Sequence, residues 1–285
     1  MKRKKRKVSV GVLKPYLKTL MILLILSILS TTIVNAYSQK FQFTDKDNYF
    51  IPKDILTNDL KTYKVMKSEP IYRVETMKKE LSISFDVNWA EEEQLYKILD
   101  VLDKYNVKAT FFIMGKWVVY PDEGNLDKLK EIEKRGHEIG NHSYAHADFQ
   151  KISNEKMIKE IKDTEETILK EIGVKTKLFR FPSGSYNENG VKIVESLGYK
   201  AIQWDVDSVD WKALGLDREY NRVIKNVKPG SIVLFHNDGK YTQQNLDRLI
   251  PELKAQGYNF VPIGQLLYKD NYYIDNEGVQ RLKEK

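Results

Sequence analysis

The sequence contains no cysteine. This absence excludes disulfide bonds, thiolate metal sites and cysteine nucleophiles. Histidine is also scarce, with four residues in a chain of 285. A bound metal must therefore be held by histidine, aspartate, glutamate, asparagine or water. The positions of these few histidines are the main sequence information on any metal site.

Excess charge is absent from most of the chain. The whole sequence has 47 Lys and Arg, 40 Asp and Glu, and a formal net charge of +7. Eight of the basic residues and none of the acidic ones fall in residues 1–36, which leaves 39 basic against 40 acidic residues in the remainder. A nearly neutral remainder argues against a surface that binds nucleic acid. We therefore expect no nucleic-acid partner, and nothing in the sequence indicates an obligate protein partner.

One long stretch lacks charge altogether, residues 20–36. Because it follows a basic segment, residues 1–18, it has the pattern of a signal anchor whose basic end stays in the cytoplasm. We interpret residues 19–37 as a single transmembrane segment that anchors the protein in the cell membrane. The small residues Val34 and Ala36 also fit a signal peptide, and cleavage after Ala36 would secrete the protein. Both interpretations place the remainder outside the cytoplasm.

Beyond residue 37 the sequence pattern changes twice. Residues 38–69 are polar without a clear period, and we interpret them as a stalk. Residues 70–268 alternate strand-like apolar runs with amphipathic helical segments, six or seven times. This alternation predicts one α/β domain with a parallel sheet, closed or nearly closed into a (β/α) barrel. Residues 269–285 are expected to form a polar tail.

Two of the four histidines lie four residues apart, at His142 and His146, and His137 lies just upstream. Neutral imidazole is a common ligand for zinc and similar ions, and a close pair supplies two ligands at once. This spacing predicts a metal site. Taken alone, the pair is equally consistent with two polar residues that share a loop.

Other chemically reactive residues follow predicted strands, where the carboxyl ends of parallel strands carry the working residues of a β/α barrel. Each of them taken singly is more often a turn residue or a helix cap. Five successive strand ends with such residues favour an active site. Outside the histidine pair they are Asp86, Arg180, Asp207, Asp210 and His236.

The order and spacing of these residues resemble a known family. The motifs are Phe85-Asp86, His142-Ser-Tyr-Ala-His146, Arg180-Phe-Pro-Ser-Gly184, Asp207-Ser-Val-Asp-Trp211 and Leu234-Phe-His236. Together they resemble the five ordered motifs of the polysaccharide deacetylases with a NodB homology domain, carbohydrate esterase family 4. The resemblance implies a distorted (β/α) barrel of about seven parallel strands. It also implies a hydrolase that removes N-acetyl groups from N-acetylhexosamine polymers with a divalent metal, zinc being expected and cobalt the alternative.

The resemblance also implies roles for the metal and for the base. His142 and His146 would bind the metal. Asp86 would be the general base, and Arg180 would orient it and keep it ionised. An amide is a poor electrophile, so such a site must polarise the carbonyl and activate water.

The remaining roles concern the leaving group and the acetyl group. His236 would be the general acid, with Asp207 as the partner that tunes its protonation. The backbone N–H of Ser183 would stabilise the tetrahedral oxyanion. Trp211 and Leu234 would form an apolar wall around the acetyl methyl, although Trp211 is equally consistent with a core residue.

The first motif departs from the family. Its usual sequence is Phe-Asp-Asp-Gly-Pro, whose second Asp completes a His-His-Asp metal triad, whereas this chain has Val87, Asn88 and Trp89 after Asp86. Val87 cannot bind a metal, so an Asn88 oxygen or a water would take the third position. A subgroup that includes sporulation-associated members has a similar variant.

Three functions are consistent with these observations. The leading one is a membrane-anchored, extracytoplasmic, metal-dependent N-deacetylase of a cell-wall glycan, with peptidoglycan as the expected polymer. The second is a catalytically weak glycan-binding protein, and the third is a related amidase that acts on small amides. The presence of Asp86, Arg180 and His236 favours the enzyme, because binding alone requires neither a base nor an acid.

Overall fold

The computed structural model describes residues 41–43, 50–52, 68–121 and 124–284. The predicted basic segment and transmembrane segment, residues 1–18 and 19–37, lie outside the described residues. No helix in the described part of the chain is both long and apolar enough to cross a membrane. The chain divides into two compact units, Met1–Val65 and Met66–Lys285.

The first unit contains a short antiparallel pair within the predicted stalk. Strand β1 (Phe41–Phe43) pairs with β2 (Phe50–Pro52). The interpretation of residues 38–69 as a stalk did not include these strands, because three-residue strands are too short to give a periodic pattern.

The second unit is built on seven parallel strands, in the spatial order β8-β7-β6-β5-β4-β10-β9. The prediction of an α/β chain with about seven parallel strands is confirmed. The sheet is a half-barrel with β8 and β9 at its edges, and not the closed or nearly closed barrel that the sequence predicted. A further short strand, β11, pairs with the start of β4. The seven strands of the path are β4 (Glu80–Val87), β5 (Thr110–Ile113), β6 (Glu138–Asn141), β7 (Leu178–Arg180), β8 (Lys200–Ile202), β9 (Val206–Asp207) and β10 (Ile232–His236). Outside this path lie β3 (Arg73–Val74) and β11 (Asn259–Phe260).

Helices connect these strands, as the alternating pattern predicted. The longest, α4, begins after Ser153, whose side chain accepts a hydrogen bond from the Lys156 N–H, and ends at Gly173 with φ 70°. Two short 3-10 helices, Pro182–Gly184 and Asp210–Lys212, follow β7 and β9. The α-helices are α1 (Leu95–Lys104), α2 (Gly115–Val118), α3 (Asn125–Lys134), α4 (Asn154–Ile172), α5 (Glu188–Ser196), α6 (Leu216–Ile224), α7 (Thr242–Ala255) and α8 (Ile263–Leu266).

The central strand β4 is buried on both faces. Successive side chains of a strand point to opposite faces. On one face Phe85 and Val87 are fully buried in the largest apolar cluster, and Phe85 stacks on Phe111 with ring centroids 4.6 Å apart. On the other face lie Ser84 and Asp86, also buried. The alternation therefore directs Asp86 and Val87, adjacent in sequence, to different surroundings.

The prediction that residues 269–285 form a polar tail is wrong in part. Strands β12 (Tyr272–Ile274) and β13 (Val279–Leu282) form an antiparallel pair, and β13 pairs in parallel with β3. Val279 and Gln280 are buried there. Since the partner strand lies about 200 residues earlier in the chain, the local sequence pattern did not predict this pairing.

We predict that Val279→Ala lowers the free energy of unfolding by about 1–3 kcal/mol, because it removes buried methyl groups from a packed site. Leu282, on the same strand but 52% exposed, is the matched control, and Leu282→Ala should cost less than about 0.5 kcal/mol. Urea denaturation measures both. Equal effects of the two substitutions would contradict the packing of β13 on the domain.

Candidate active site

The carboxyl ends of the parallel strands place the predicted residues at one edge of the sheet. Asp86 and His236 are register partners on the neighbouring strands β4 and β10. His142 comes directly after β6, and Arg180 is the last residue of β7. Asp86 and His236 line a cavity of about 390 Å³, whereas His142 and Arg180 are fully buried and are not among its lining residues. Its lining residues are Asp86, Asn88, His146, Ser183, Trp204, Asp207, Trp211, Leu234, His236 and Asp238.

Asp86 is paired with a buried arginine. Arg180 NH1 lies 2.9 Å from Asp86 Oδ1, and Arg180 NH2 donates to Ser84 Oγ at 2.9 Å and to the Gln203 carbonyl at 3.1 Å. Burial would raise the pKa of Asp86, but the imidazoles of His142 and His236 and the Arg180 guanidinium outweigh it, so the pKa is lowered. Asp86 is therefore ionised at neutral pH.

His142 has one ring nitrogen bonded and the other without a partner. Its Nδ1 lies 3.0 Å from the Arg180 carbonyl oxygen, which only accepts, so Nδ1 carries the hydrogen. Nε2 then holds a lone pair; it is buried, has no hydrogen-bond partner among the described residues, and lies 3.4 Å from Asp86 Oδ2. Burial lowers the pKa of His142 to about 4, so the ring is neutral. The lone pairs of His142 Nε2 and Asp86 Oδ2 repel each other at this distance, and a cation bound beside both atoms would relieve that repulsion.

His146 lies beside His142, with ring centroids 5.1 Å apart, and burial lowers its pKa as well. The predicted pair is therefore brought together, with both rings in the neutral form that binds metals. In the described part of the chain, no group of three or more His, Asp or Glu side chains is arranged to hold a metal ion. Val87, where the family resemblance expects a third ligand, is buried in the apolar core. The residues fit two coordination positions of a zinc- or cobalt-like ion and leave the rest to water or substrate.

The structure corrects the partner of His236. Asp210 Oδ1 lies 2.8 Å from His236 Nδ1, and Asp210 Oδ2 accepts from the His236 N–H and from Thr242 Oγ1. Asp207, the predicted partner, lines the cavity, but its Oδ1 accepts from the Val209 N–H. The reason is local: Val209 has φ 58°, and this left-handed turn brings the buried Asp210 to the histidine.

The Asp210 contact changes the charge of His236. Burial would lower the pKa of His236, but the hydrogen bond and charge of Asp210, with further contributions from Asp86 and Asp238, raise it to about 9. His236 is therefore protonated at neutral pH. Gly239 permits the arrangement, because a Cβ there would lie 2.4 Å from Asp210 Oδ2.

The remaining predicted residues line the same cavity. Ser183 has φ 53°, in the left-handed region, and Leu234 is 2% exposed. Trp211 is 58% exposed, so the alternative that it is a core residue is wrong. Sequence reasoning missed Trp204 and Asp238. In the structure both residues follow the ends of parallel strands, Trp204 after β8 and Asp238 after β10, and that position is the signal that could have identified them.

His137 does not join the other histidines. It precedes β6, at the opposite end of that strand from His142. Its Nδ1 accepts a hydrogen bond from the Ala109 N–H at 3.2 Å, and its ring packs edge-on against Phe111. It is therefore a buried structural residue.

Comparison with known proteins identifies the family. Residues 73–202 match the polysaccharide deacetylase family. The uncharacterised protein YlxY of Bacillus subtilis is 33% identical over 232 residues, which cover 80% of this chain and 71% of that protein. A peptidoglycan-N-acetylglucosamine deacetylase of Bacillus cereus is 37% identical over 194 residues, which cover 65% of this chain and 67% of that protein.

A solved structure extends the comparison to the fold. A carbohydrate esterase family 4 pseudoenzyme from Bacillus anthracis is 34% identical, with a TM-score of 0.66, and the match covers 76% of this chain and 74% of that one. A mutant of that pseudoenzyme is described as having restored enzymatic activity, with the same TM-score. This chain belongs to the polysaccharide deacetylase family, carbohydrate esterase family 4, as its motifs predicted.

We predict that Asp210→Asn moves the pKa of His236 from about 9 toward its ordinary value of 6.5. The native state holds this proton more tightly than the unfolded chain does. The Asp210–His236 contact therefore stabilises the fold fully below pH 6.5 and loses this contribution as the pH rises through about 9. The stability difference between wild type and variant should shrink over that range. Histidine NMR titration measures the pKa, and Asp207→Asn, which should leave it unchanged, is the control.

We predict that Val87→Asp lowers the free energy of unfolding of the metal-free protein by about 2–5 kcal/mol, because it buries an unpaired carboxylate. The family resemblance places a metal-binding carboxylate at this position, although Val87 itself faces the apolar cluster. We therefore expect Zn²⁺ or Co²⁺ to restore part of this loss by turning the residue 87 carboxylate toward His142 and His146. Val87→Asn, of equal size but neutral, is the control. Thermal melts with and without metal decide the question, and equal metal-induced shifts in wild type and both variants would refute the prediction.

Proposed function

We propose that this protein is a metal-dependent hydrolase that removes N-acetyl groups from N-acetylhexosamine residues of a cell-wall glycan, namely peptidoglycan. The observation that carries this proposal is that two neighbouring strands carry groups of opposite charge at their ends, an ionised carboxylate and a protonated imidazole. On β4, Asp86 is held ionised by Arg180, and on β10 His236 is held protonated by Asp210. Two groups whose surroundings push their pKa values apart are suited to act as base and acid together.

In the proposed reaction Asp86 removes a proton from the attacking water, and the water oxygen bonds to the acetyl carbon. His236 donates a proton to the amide nitrogen as the C–N bond breaks, which yields acetate and a free amine. His142 and His146 would hold the metal, whose chemistry is to polarise the carbonyl and acidify water. The third protein position would be filled by Asn88 or by water.

Further cavity residues are proposed to bind the substrate. The N–H of Ser183 would donate to the oxyanion. Leu234 and Trp211 would contact the acetyl methyl, and the exposed Trp211 ring offers an apolar face at the cavity rim. The name of the Bacillus cereus relative, a peptidoglycan-N-acetylglucosamine deacetylase, supports a wall polymer as substrate. The apolar residues 19–37 support anchoring in the membrane with the enzyme outside the cytoplasm.

A second candidate function is glycan binding without hydrolysis. It is favoured by Val87, which removes a metal-binding carboxylate, and by the likeness to a structure described as a pseudoenzyme. The base and acid pairs weigh against it, because groups whose pKa values are strongly shifted by burial and a charged partner cluster at catalytic sites.

Acetate release from N-acetylated peptidoglycan and from chito-oligosaccharides distinguishes the two functions. We expect purified wild-type protein to release acetate only when Zn²⁺ or Co²⁺ is added, and Asp86→Asn to lose at least about 100-fold of that rate. Circular dichroism should show that the variant keeps its fold. Glycan binding without acetate release at any metal concentration would establish the second candidate and overturn the first.

A further inference from the structure

The loop that carries both histidines has a backbone that requires support. Two of its residues, Ser143 with φ 67° and His146 with φ 57°, adopt left-handed conformations. Non-glycine residues adopt this region at a cost, so such a loop persists only when surrounding contacts fix it. The contacts that fix this loop therefore also fix its imidazoles.

A buried glutamate on α4 supplies the charged contact. Glu160 is 1% exposed. Its Oε2 accepts hydrogen bonds from Ser143 Oγ and from the Ala145 N–H, both at 2.7 Å. Its Oε1 lies 2.8 Å from Lys156 Nζ. Ser143 directly follows His142 and Ala145 directly precedes His146, so one carboxylate oxygen ties the backbone beside both histidines.

Neutral contacts complete the support of the loop. Asn141 Nδ2 donates to the Ile161 carbonyl of α4 at 2.9 Å, and Asn141 Oδ1 accepts from the Ser143 N–H at 3.0 Å. The Gly115 N–H of α2 donates to the Ser143 carbonyl at 3.1 Å. The Lys116 N–H likewise donates to the Tyr144 carbonyl at 2.8 Å. These bonds hold Asn141 to Tyr144, whereas the Glu160 carboxylate accepts from the Ala145 N–H.

The same helix carries a second glutamate of similar chemistry with no contact to the loop. Glu165 Oε2 accepts from the Thr176 N–H at 3.2 Å and from the Tyr199 hydroxyl at 2.9 Å. It ties α4 to the segments before β7 and β8. Glu165 is half-buried, whereas Glu160 is buried, and it matches Glu160 as a hydrogen-bonding carboxylate of α4. The two differ in what they hold.

We infer that Glu160 is a positioning residue that preorganises His142 and His146 for a divalent metal, acting through Ser143 and Ala145. This inference rests on the proposed function, which assigns the two histidines as ligands. Glu160 itself contacts neither imidazole nor the cavity. Groups that orient metal ligands in this way typically change metal affinity by 10–100-fold when they are removed.

The test is calorimetric titration of Co²⁺ into the metal-free protein. We expect Glu160→Gln to weaken Co²⁺ binding by about 10–100-fold, because the neutral amide loses the charge that holds both loop donors. Glu165→Gln, the matched control, should leave the affinity within about twofold. Ser143→Ala is a second, smaller change that should weaken binding in the same direction, and its effect should not add to that of Glu160→Gln.

Amide hydrogen exchange of the metal-free protein provides a second test. The Ala145 amide should exchange with solvent faster in Glu160→Gln than in wild type or Glu165→Gln, because it loses its acceptor. Unchanged Co²⁺ affinity in Glu160→Gln, or equal weakening in both glutamate variants, would overturn this inference while wild-type metal binding stands. Failure of wild type itself to bind Co²⁺ would overturn the metal assignment of the proposed function, and the inference with it.

Discussion

The buried ion pair between Asp86 and Arg180 is the interaction on which the rest of the site depends. Its partners come from β4 and β7, and both are withdrawn from water. A buried charge that loses its partner destabilises a fold by about 3–5 kcal/mol, so the pair contributes to the stability of the domain as well as to the site. The guanidinium also bonds Ser84 and the Gln203 carbonyl and packs over the Phe112 ring. The Arg180 carbonyl accepts a hydrogen bond from His142 Nδ1–H. Arg180 thus keeps the Asp86 carboxylate ionised and leaves the Nε2 lone pair of His142 free for a ligand.

A second pair joins His236, at the end of the adjacent strand β10, to Asp210 of the 3-10 helix that follows β9. Asp210 holds His236 protonated, and its other oxygen is fixed by the His236 N–H and by Thr242. Because β4 and β10 are paired in register, the anionic and cationic members face one cavity. The family resemblance expects a carboxylate where this chain has Val87, whereas both of these pairs are present. We therefore regard hydrolysis as the better-supported proposal. Its activity would depend on the proposed metal site, which has two imidazoles and lacks the usual carboxylate.

The proposed support of the histidine loop, residues 142–146, illustrates how an ordinary residue can acquire a role from its position. Glu160 is one of several glutamates on an amphipathic helix, and its spacing within α4 is unremarkable. Its burial against the loop makes it a charged acceptor for two donors that flank the histidines. The left-handed Ser143 and His146 then keep conformations that an isolated loop would not hold.

The sequence by itself determined the alternation of strands and helices, the parallel sheet and the edge at which Asp86, His142, Arg180 and His236 meet. It could do so because strand and helix periods are local, and because the carboxyl ends of parallel strands share one edge of the sheet. The tertiary structure alone decided that Asp210 and not Asp207 bonds His236, since the choice depends on the left-handed turn at Val209. It also decided the pairing of β13 with β3 and the contact of Glu160 with the loop. These are non-local contacts, whose partners are chosen by packing and by the need to pair buried polar groups, and no local pattern records them.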